Sequence, residues 1–250
     1  LNAEIISSFH SKFIFFLLYY NVGKVLHLIV LKKMKKNEIN TKMIWDLSLR
    51  LFHFILIILV IGLIVTAKSD FLYIHQYFGL GLLGLLCFRI VWGFVGSHYS
   101  RFKSFNLSFK ESLMQFSQGY HNKSVRTPIG SFSSLFFLIT LLILSVSGLF
   151  SSDDILYDGP LTFLTPNYTS VWTYIHNLFH YVLYFLVTIH LLAIFYYQLF
   201  KKNKIIQRMF DGYAKSNEID LVSINEKSMK GILFLLFLVF LPIIIFIIIK

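Results

Sequence analysis

Six apolar stretches, each long enough to cross a lipid bilayer as a helix, dominate this sequence. They cover roughly residues 13–31, 44–67, 71–96, 130–150, 171–200 and 231–249. About 20 apolar residues in a helix span the roughly 30 Å of hydrocarbon in a bilayer. The stretches are apolar on every side and lack the two-residue alternation of a membrane β-barrel. With 56% hydrophobic and only 14% charged residues, the chain is predicted to be an all-α polytopic membrane protein.

The placement of basic residues predicts an orientation. Lysine and arginine concentrate in three connections, residues 32–43, 97–129 and 201–230, whereas the alternate connections, 68–70 and 151–170, hold Lys68 as their only basic residue. Because basic loops stay in the cytoplasm, the first three are expected on the inner side. This topology, with attraction to anionic membrane lipid, accounts for the net charge of +11 without a nucleic-acid partner.

The two ends of the chain are less alike. Stretch 13–31 is interrupted by polar positions, and three interpretations stay open: a spanning helix, an interfacial helix, or sequence upstream of a start at Met34. Stretch 231–249 is a clean span, and it is interpreted as an anchor or a partner-facing helix.

The sequence gives no support to four kinds of disulfide, redox or nucleotide site. Cys87 is the only cysteine, so the chain has no intrachain disulfide, no iron–sulfur ligand set and no attachment site for c-type haem. Gly79, Gly81 and Gly84 match GxGxxG, but they lie inside an apolar span with no preceding strand, so a dinucleotide site is not indicated.

Two histidines share the fifth stretch at a spacing that places them on one side of a helix. His176 and His190 are 14 residues apart, which returns to within about 40° of the same direction and rises about 21 Å. His180, four residues after His176, could form a direct metal pair with it. Its direction differs from that of His190 by about 80° and the rise is only about 15 Å, so His176 is the better ligand.

Two further histidines lie at matching depths. His53 is 9 residues from the inner end of its stretch and His190 is 10, whereas His75 is 4 residues from the outer end and His176 is 5. The sequence therefore predicts an inner pair, His53 with His190, and an outer pair, His75 with His176.

Facing imidazoles in a helical bundle are typical axial ligands of haem. We therefore expect two non-covalent b-type haems, each held by two histidines. Gly79, with the glycines that follow it, would let a flat ring approach the backbone closely. Arg50, three residues before His53, is expected either to pair with a haem propionate or to extend to the cytoplasmic interface.

Two other classes of function stay open on the residues alone. Buried histidines could serve a transporter or proton relay, although the spans hold almost no carboxylates apart from Asp46 near one end. The chain could also be a haem-free membrane anchor that recruits a soluble oxidoreductase.

Three motifs resemble one known family. Trp45-Asp46-Leu-Ser-Leu-Arg50-Leu-Phe-His53 is similar to the opening motif of the bacterial cytochrome b561 and nickel-hydrogenase cytochrome b family. The run Phe88-Arg-Ile-Val-Trp-Gly-Phe-Val-Gly96, followed by Tyr99, Arg101 and Phe102, resembles that family's second motif. The stretch from Ile175-His176 through His190 to Met209-Phe-Asp-Gly212 resembles its final ligand helix and tail.

The resemblance implies a four-helix transmembrane core with two b-type haems, ligated by His53, His75, His176 and His190. It implies a di-haem domain at 44–213, preceded by an N-terminal hydrophobic extension and basic segment, 1–43, and followed by a linker and C-terminal helix, 214–250. It also implies a respiratory electron-transfer subunit of the bacterial inner membrane, rather than a stand-alone enzyme, working between quinone and a hydrogenase, dehydrogenase or c-type cytochrome. Asn177 stands where relatives often have Glu, and His180 replaces a small or apolar residue.

Overall fold

The computed structural model describes residues 41–118, 127–153, 155, 157–202, 204–215 and 228–249. The α-helices in these ranges are α1 (Leu47–Lys68), α2 (Leu72–Val95), α3 (Phe109–Gln118), α4 (Pro128–Phe150), α5 (Thr169–Leu199), α6 (Ile205–Asp211) and α7 (Ser228–Ile249). Short 3-10 helices lie at His98–Ser100, Phe102–Ser104, Thr162–Leu164 and Pro166–Tyr168. The three-residue strands β1 (Thr41–Met43) and β2 (Tyr213–Lys215) pair with each other.

Five of the six apolar stretches are confirmed as helices long and apolar enough to cross a membrane, namely α1, α2, α4, α5 and α7. The sixth stretch, 13–31, and the candidate start at Met34 lie outside the described residues. The described residues from position 42 onward form one compact unit.

Asp46 fixes the start of α1. Its carboxylate accepts a hydrogen bond from the Leu49 backbone N–H at 2.8 Å, as an N-cap does. The Trp92 indole also donates to it, as do two buried hydroxyls of the segment that follows α2, those of Ser97 and Ser100. This buried carboxylate therefore joins the first turn of α1 to the last turn of α2.

Helix α2 is the centre of the bundle because it packs against α1, α4 and α7. Leu85, Leu86 and Phe88 are fully buried along it. One apolar cluster joins α1, α2 and α7, and it contains Leu49, Phe52, Leu85, Phe88, Trp92, Leu235 and Val239. A second joins α2, α4 and α5, and it contains Leu82, Leu86, Leu141, Leu144 and Leu183.

Helix α7 is part of this bundle on one side. Leu235 is fully buried between α1 and α2, and Gly84 of α2 lies directly against the α7 backbone at Leu238. The opposite side, with Phe237 and Phe240, is exposed. The sequence-based interpretation of α7 as an anchor or partner-facing helix is therefore incomplete, since α7 also braces the first two helices.

The described parts of the connections rich in lysine and arginine lie at one end of the bundle, which we call the basic end. There the Arg50 side chain donates to the Phe210 carbonyl oxygen at 2.7 Å, and the Ile44 N–H donates to the Gly212 carbonyl oxygen at 2.8 Å. Gly212 ends α6 with φ of +79°, a conformation that glycine adopts without strain. Its neighbours, the Trp45 carbonyl and the Arg50 guanidinium, leave no room for a Cβ.

Candidate functional site

The rings of His75 and His176 meet near the other end of the bundle. We call it the acidic end because its connections hold Asp70, Asp153 and Asp158. His75 lies in the first turn of α2, and His176 lies in the second turn of α5. The centres of the two imidazoles are 6.2 Å apart, and their planes are nearly perpendicular at 80°. The structure thus brings the two rings of the predicted outer pair together in an edge-on arrangement.

Each ring of the outer pair is held through its Nδ1 atom by a neighbouring helix. His75 Nδ1 lies 3.0 Å from the Leu63 carbonyl oxygen of α1, and His176 Nδ1 lies 3.0 Å from the Leu144 carbonyl oxygen of α4. Because a carbonyl oxygen only accepts, both Nδ1 atoms must carry the proton. Both Nε2 atoms therefore keep a free lone pair, which is the form of imidazole that ligates a metal.

A hydroxyl completes each of these two contacts. Thr66 Oγ1 lies 3.3 Å from His75 Nδ1, and Ser147 Oγ lies 3.3 Å from His176 Nδ1. Each hydroxyl donates its own proton at 2.7 Å to the carbonyl four residues earlier in its helix, Gly62 or Ile143.

Each hydroxyl oxygen can therefore only accept a hydrogen bond from the neighbouring imidazole. His75 and His176 thus have the same set of contacts, one carbonyl oxygen and one hydroxyl oxygen at Nδ1. Sequence reasoning missed Thr66 and Ser147. The available signal was that a polar side chain inside an apolar span needs a partner.

The inner pair has different surroundings. His190 lies close enough to His53 for the charge of one ring to act on the other. The Phe137 ring stands edge-on to His190, with ring centres 5.4 Å apart, and Phe54 lies edge-on to His53 at 6.2 Å. The His53 Nδ1 atom is buried and has no hydrogen-bond partner. Aromatic side chains, rather than carbonyls, therefore surround this pair.

The sequence model of the prokaryotic cytochrome b561 family matches residues 44–212, more than two-thirds of the chain. The chain belongs to this family. No curated protein and no solved structure matches it. Members of the cytochrome b561 family are membrane proteins that transfer electrons through b-type haem, and the five apolar helices agree with that class.

The outer pair of this cytochrome b561 suits an iron held between two imidazoles. If one metal atom bonded both Nε2 atoms at about 2 Å, the two ring centres would lie about 6 Å apart. The observed 6.2 Å agrees with that value. The donor set is also suitable, because both Nε2 atoms are free and the walls are apolar.

Three other residues predicted to lie near the cofactor have distinct surroundings. A Cβ built on Gly79 would meet no atom within 4 Å, so the backbone there is open. The structure gives Gly84 another task, since its close neighbour is α7, and the expectation that a ring approaches it is wrong. Arg50 is engaged with the Phe210 carbonyl oxygen, and its Nε atom is buried without a partner.

His180 lies near enough to His176 for a charge on one ring to act on the other, but its own ring packs against tyrosines. Its ring lies against Tyr181, with ring centres 3.8 Å apart, and edge-on to Tyr184 at 5.3 Å. Within the part of the chain that the structure describes, no three His, Cys, Asp or Glu side chains converge on a common point.

The loop before α5 covers the acidic end. Thr173, three residues before His176, exchanges hydrogen bonds with the Ser152 backbone at 3.1 and 2.9 Å. Burial, followed by the nearby Tyr73, Asp153 and Asp158, raises the pKa of Tyr157 to about 12. At neutral pH the Tyr157 phenol is therefore uncharged where it packs edge-on to the Tyr73 ring.

Proposed function

We propose that this cytochrome b561 binds two b-type haems and moves electrons across the bacterial inner membrane between the quinone pool and a partner redox protein. In this proposal His75 and His176 hold the outer haem, and His53 and His190 hold the inner one. The chain then acts as the electron-transfer subunit of a respiratory oxidoreductase, with a hydrogenase, a dehydrogenase or a c-type cytochrome as its partner. The di-haem domain covers 44–213.

The observation that carries this proposal is the construction of the outer pair. Two imidazoles from different helices lie with their ring centres 6.2 Å apart, and a backbone carbonyl from a third or fourth helix keeps the proton of each on Nδ1. The hydrogen bonds that orient the two rings use only their Nδ1 atoms. Here both Nε2 atoms stay available to a metal.

Each part of the chain has a defined role in this proposal. The four histidines ligate, the carbonyls of Leu63 and Leu144 orient the outer pair, and the leucine-rich clusters exclude water. When bound, haem supplies one-electron chemistry through its iron, and occupation of both axial positions favours electron transfer over oxygen binding.

Purified full-length protein is expected to contain two b-type haems per chain and to show a b-type alpha band after reduction with dithionite. The measurements are haem extraction with pyridine, set against protein concentration, and the difference spectrum of reduced minus oxidised protein. Adding a membrane quinol to the oxidised protein is expected to reduce the haem and so produce the same alpha band. A spectrum without an alpha band contradicts the proposal, and one haem per chain contradicts its two layers.

Loss of the two hydroxyls beside the outer pair is expected to raise the midpoint potential of one haem only. Thr66→Val combined with Ser147→Ala removes an acceptor from each Nδ1–H, so each imidazole donates less electron density to ferric iron. The shift is expected on the order of tens of millivolts in an optical redox titration.

The matched control for this pair of substitutions is Thr188→Val. The Thr188 hydroxyl also donates to the carbonyl four residues earlier in its helix, but it is exposed and touches no histidine. It should leave both potentials unchanged. Equal shifts of both haems in the double variant, or no shift of either, would show that the hydroxyls do not act through the outer pair.

A further inference from the structure

Arg89 is a buried cation, and one nitrogen of its guanidinium has no hydrogen-bond partner. The side chain is only 7% exposed on α2, and its Nη1 atom is buried without a hydrogen-bond partner. A buried guanidinium ordinarily pairs with an anion, because removing its charge from water is costly. Arg89 therefore lacks the partner that its position calls for.

Aromatic rings cover the guanidinium from the segment that follows α2. Its central carbon lies 4.8 Å from the centre of the Phe102 ring and 5.9 Å from that of Phe105. Such contacts use the faces of the flat guanidinium and leave the N–H groups at its edge free. The edge of a guanidinium is the part that binds a carboxylate or phosphate through two parallel hydrogen bonds.

Among the described residues, the carboxylate whose charge acts on Arg89 already has donors of its own. The charge of Asp46 acts on Arg89, but the Asp46 carboxylate accepts from the Leu49 backbone, the Trp92 indole and two serine hydroxyls. None of these four donors is Arg89. The Asp46 carboxylate thus offsets part of the Arg89 charge from a distance and leaves the Arg89 Nη1 atom without an acceptor.

The position of Arg89 on α2 repeats the spacing of the histidine helix. Arg89 follows His75 by 14 residues, as His190 follows His176. Both helices run from the acidic end to the basic end. In each, two residues that are 14 positions apart lie about 21 Å apart along the axis and point within about 40° of the same direction. Arg89 therefore lies at the depth of His190, on the side of α2 that presents His75.

We propose that Arg89 binds a propionate carboxylate of the haem that His53 and His190 hold. This inference rests on the proposed function. Arg50, the arginine favoured by its place in the sequence, donates instead to the Phe210 carbonyl oxygen at the basic end. A phosphate of anionic lipid has the same chemistry as a propionate, so the experiment must separate the two.

The decisive probe is haem in which both propionates are methyl esters. Full-length apoprotein is reconstituted with b-type haem or with the dimethyl ester, and the loss of haem to excess apomyoglobin is followed. The kinetic phase of haem loss that the wild type shows and His190→Ala lacks is the release of the inner haem. In the wild type, esterification should speed that phase about tenfold or more, as expected for the loss of a charge-assisted hydrogen bond.

The variants test whether the effect passes through Arg89. Arg89→Met should release ordinary haem about tenfold faster than the wild type, and it should release the dimethyl ester at the same rate as haem. Arg89→Lys should release haem at an intermediate rate, because lysine keeps the charge but cannot form two parallel hydrogen bonds. Arg101→Met, which removes an exposed arginine at the same end, should behave like the wild type.

Each remaining outcome is decisive. Equal retention of haem and ester by the wild type overturns the inference, and this measurement needs no variant to fold. Loss of a bound phospholipid from Arg89→Met in native mass spectrometry, with haem release unchanged, assigns the site to lipid and overturns it as well. Wild-type protein that takes up no haem contradicts the proposed function itself, which distinguishes the two failures.

Discussion

Replacing His190 with Ala is expected to abolish binding of one haem and to leave the other in place. His190 and His176 are on the same helix but about 21 Å apart along its axis, so each should serve a different haem. His176→Ala should produce the reciprocal loss. Each variant should therefore bind half of the wild-type haem, and the two remaining haems should differ in midpoint potential, because carbonyls hold the outer rings and aromatic rings surround the inner ones.

The control for these two substitutions lies on the same helix. His180→Ala removes an imidazole four residues from His176, but this ring packs against Tyr181 and Tyr184 rather than facing another histidine. It should keep both haems. If His180→Ala loses a haem while His176→Ala keeps both, His180 is the ligand and the outer pair is wrongly assigned. Loss of both haems from His190→Ala would contradict the proposal that the two haems bind independently of each other.

Much of the helical architecture could be predicted because the bilayer imposes it. A helix satisfies its own backbone hydrogen bonds, so apolar stretches such as 71–96 and 231–249 could be recognised without knowledge of their neighbours. The approach of His75 to His176 was also within reach, because depth follows from residue count. The structure brings those two rings together, and their role as ligands stays a prediction.

What the sequence could not predict depends on the rotation and contacts of the helices. The carbonyls of Leu63 and Leu144 carry no side-chain signal, so their hydrogen bonds to the outer pair become visible only once α1 and α4 are packed. Likewise the spacing that located His190 also applies to Arg89, but only its burial without an acceptor draws attention to it. Local spacing therefore determines depth, and packing determines which groups meet.

Gly84→Ala is expected to destabilise the folded bundle by about 3 kcal/mol or more. A Cβ at this position would overlap the Leu238 carbonyl oxygen and lie 2.9 Å from the Val239 Cα, so the α7 backbone would have to move. That movement would also open the cluster around Leu235, which is fully buried between α1 and α2. Thermal unfolding in detergent, followed by tryptophan fluorescence, measures the loss.

Gly81→Ala is the matched control because it adds the same methyl group to the same helix. A Cβ at Gly81 would meet the side chains of Ile243 and Leu59 at 3.7 Å, an ordinary contact distance, so its melting temperature should stay near that of the wild type. Melting of Gly84→Ala within about 2 °C of Gly81→Ala would show that α7 is dispensable to the bundle. We instead expect Gly84→Ala to melt at a lower temperature than Gly81→Ala, because α7 packs in the same apolar cluster as Phe52 of α1. Phe52 is next to His53, so displacement of α7 should also loosen the inner pair.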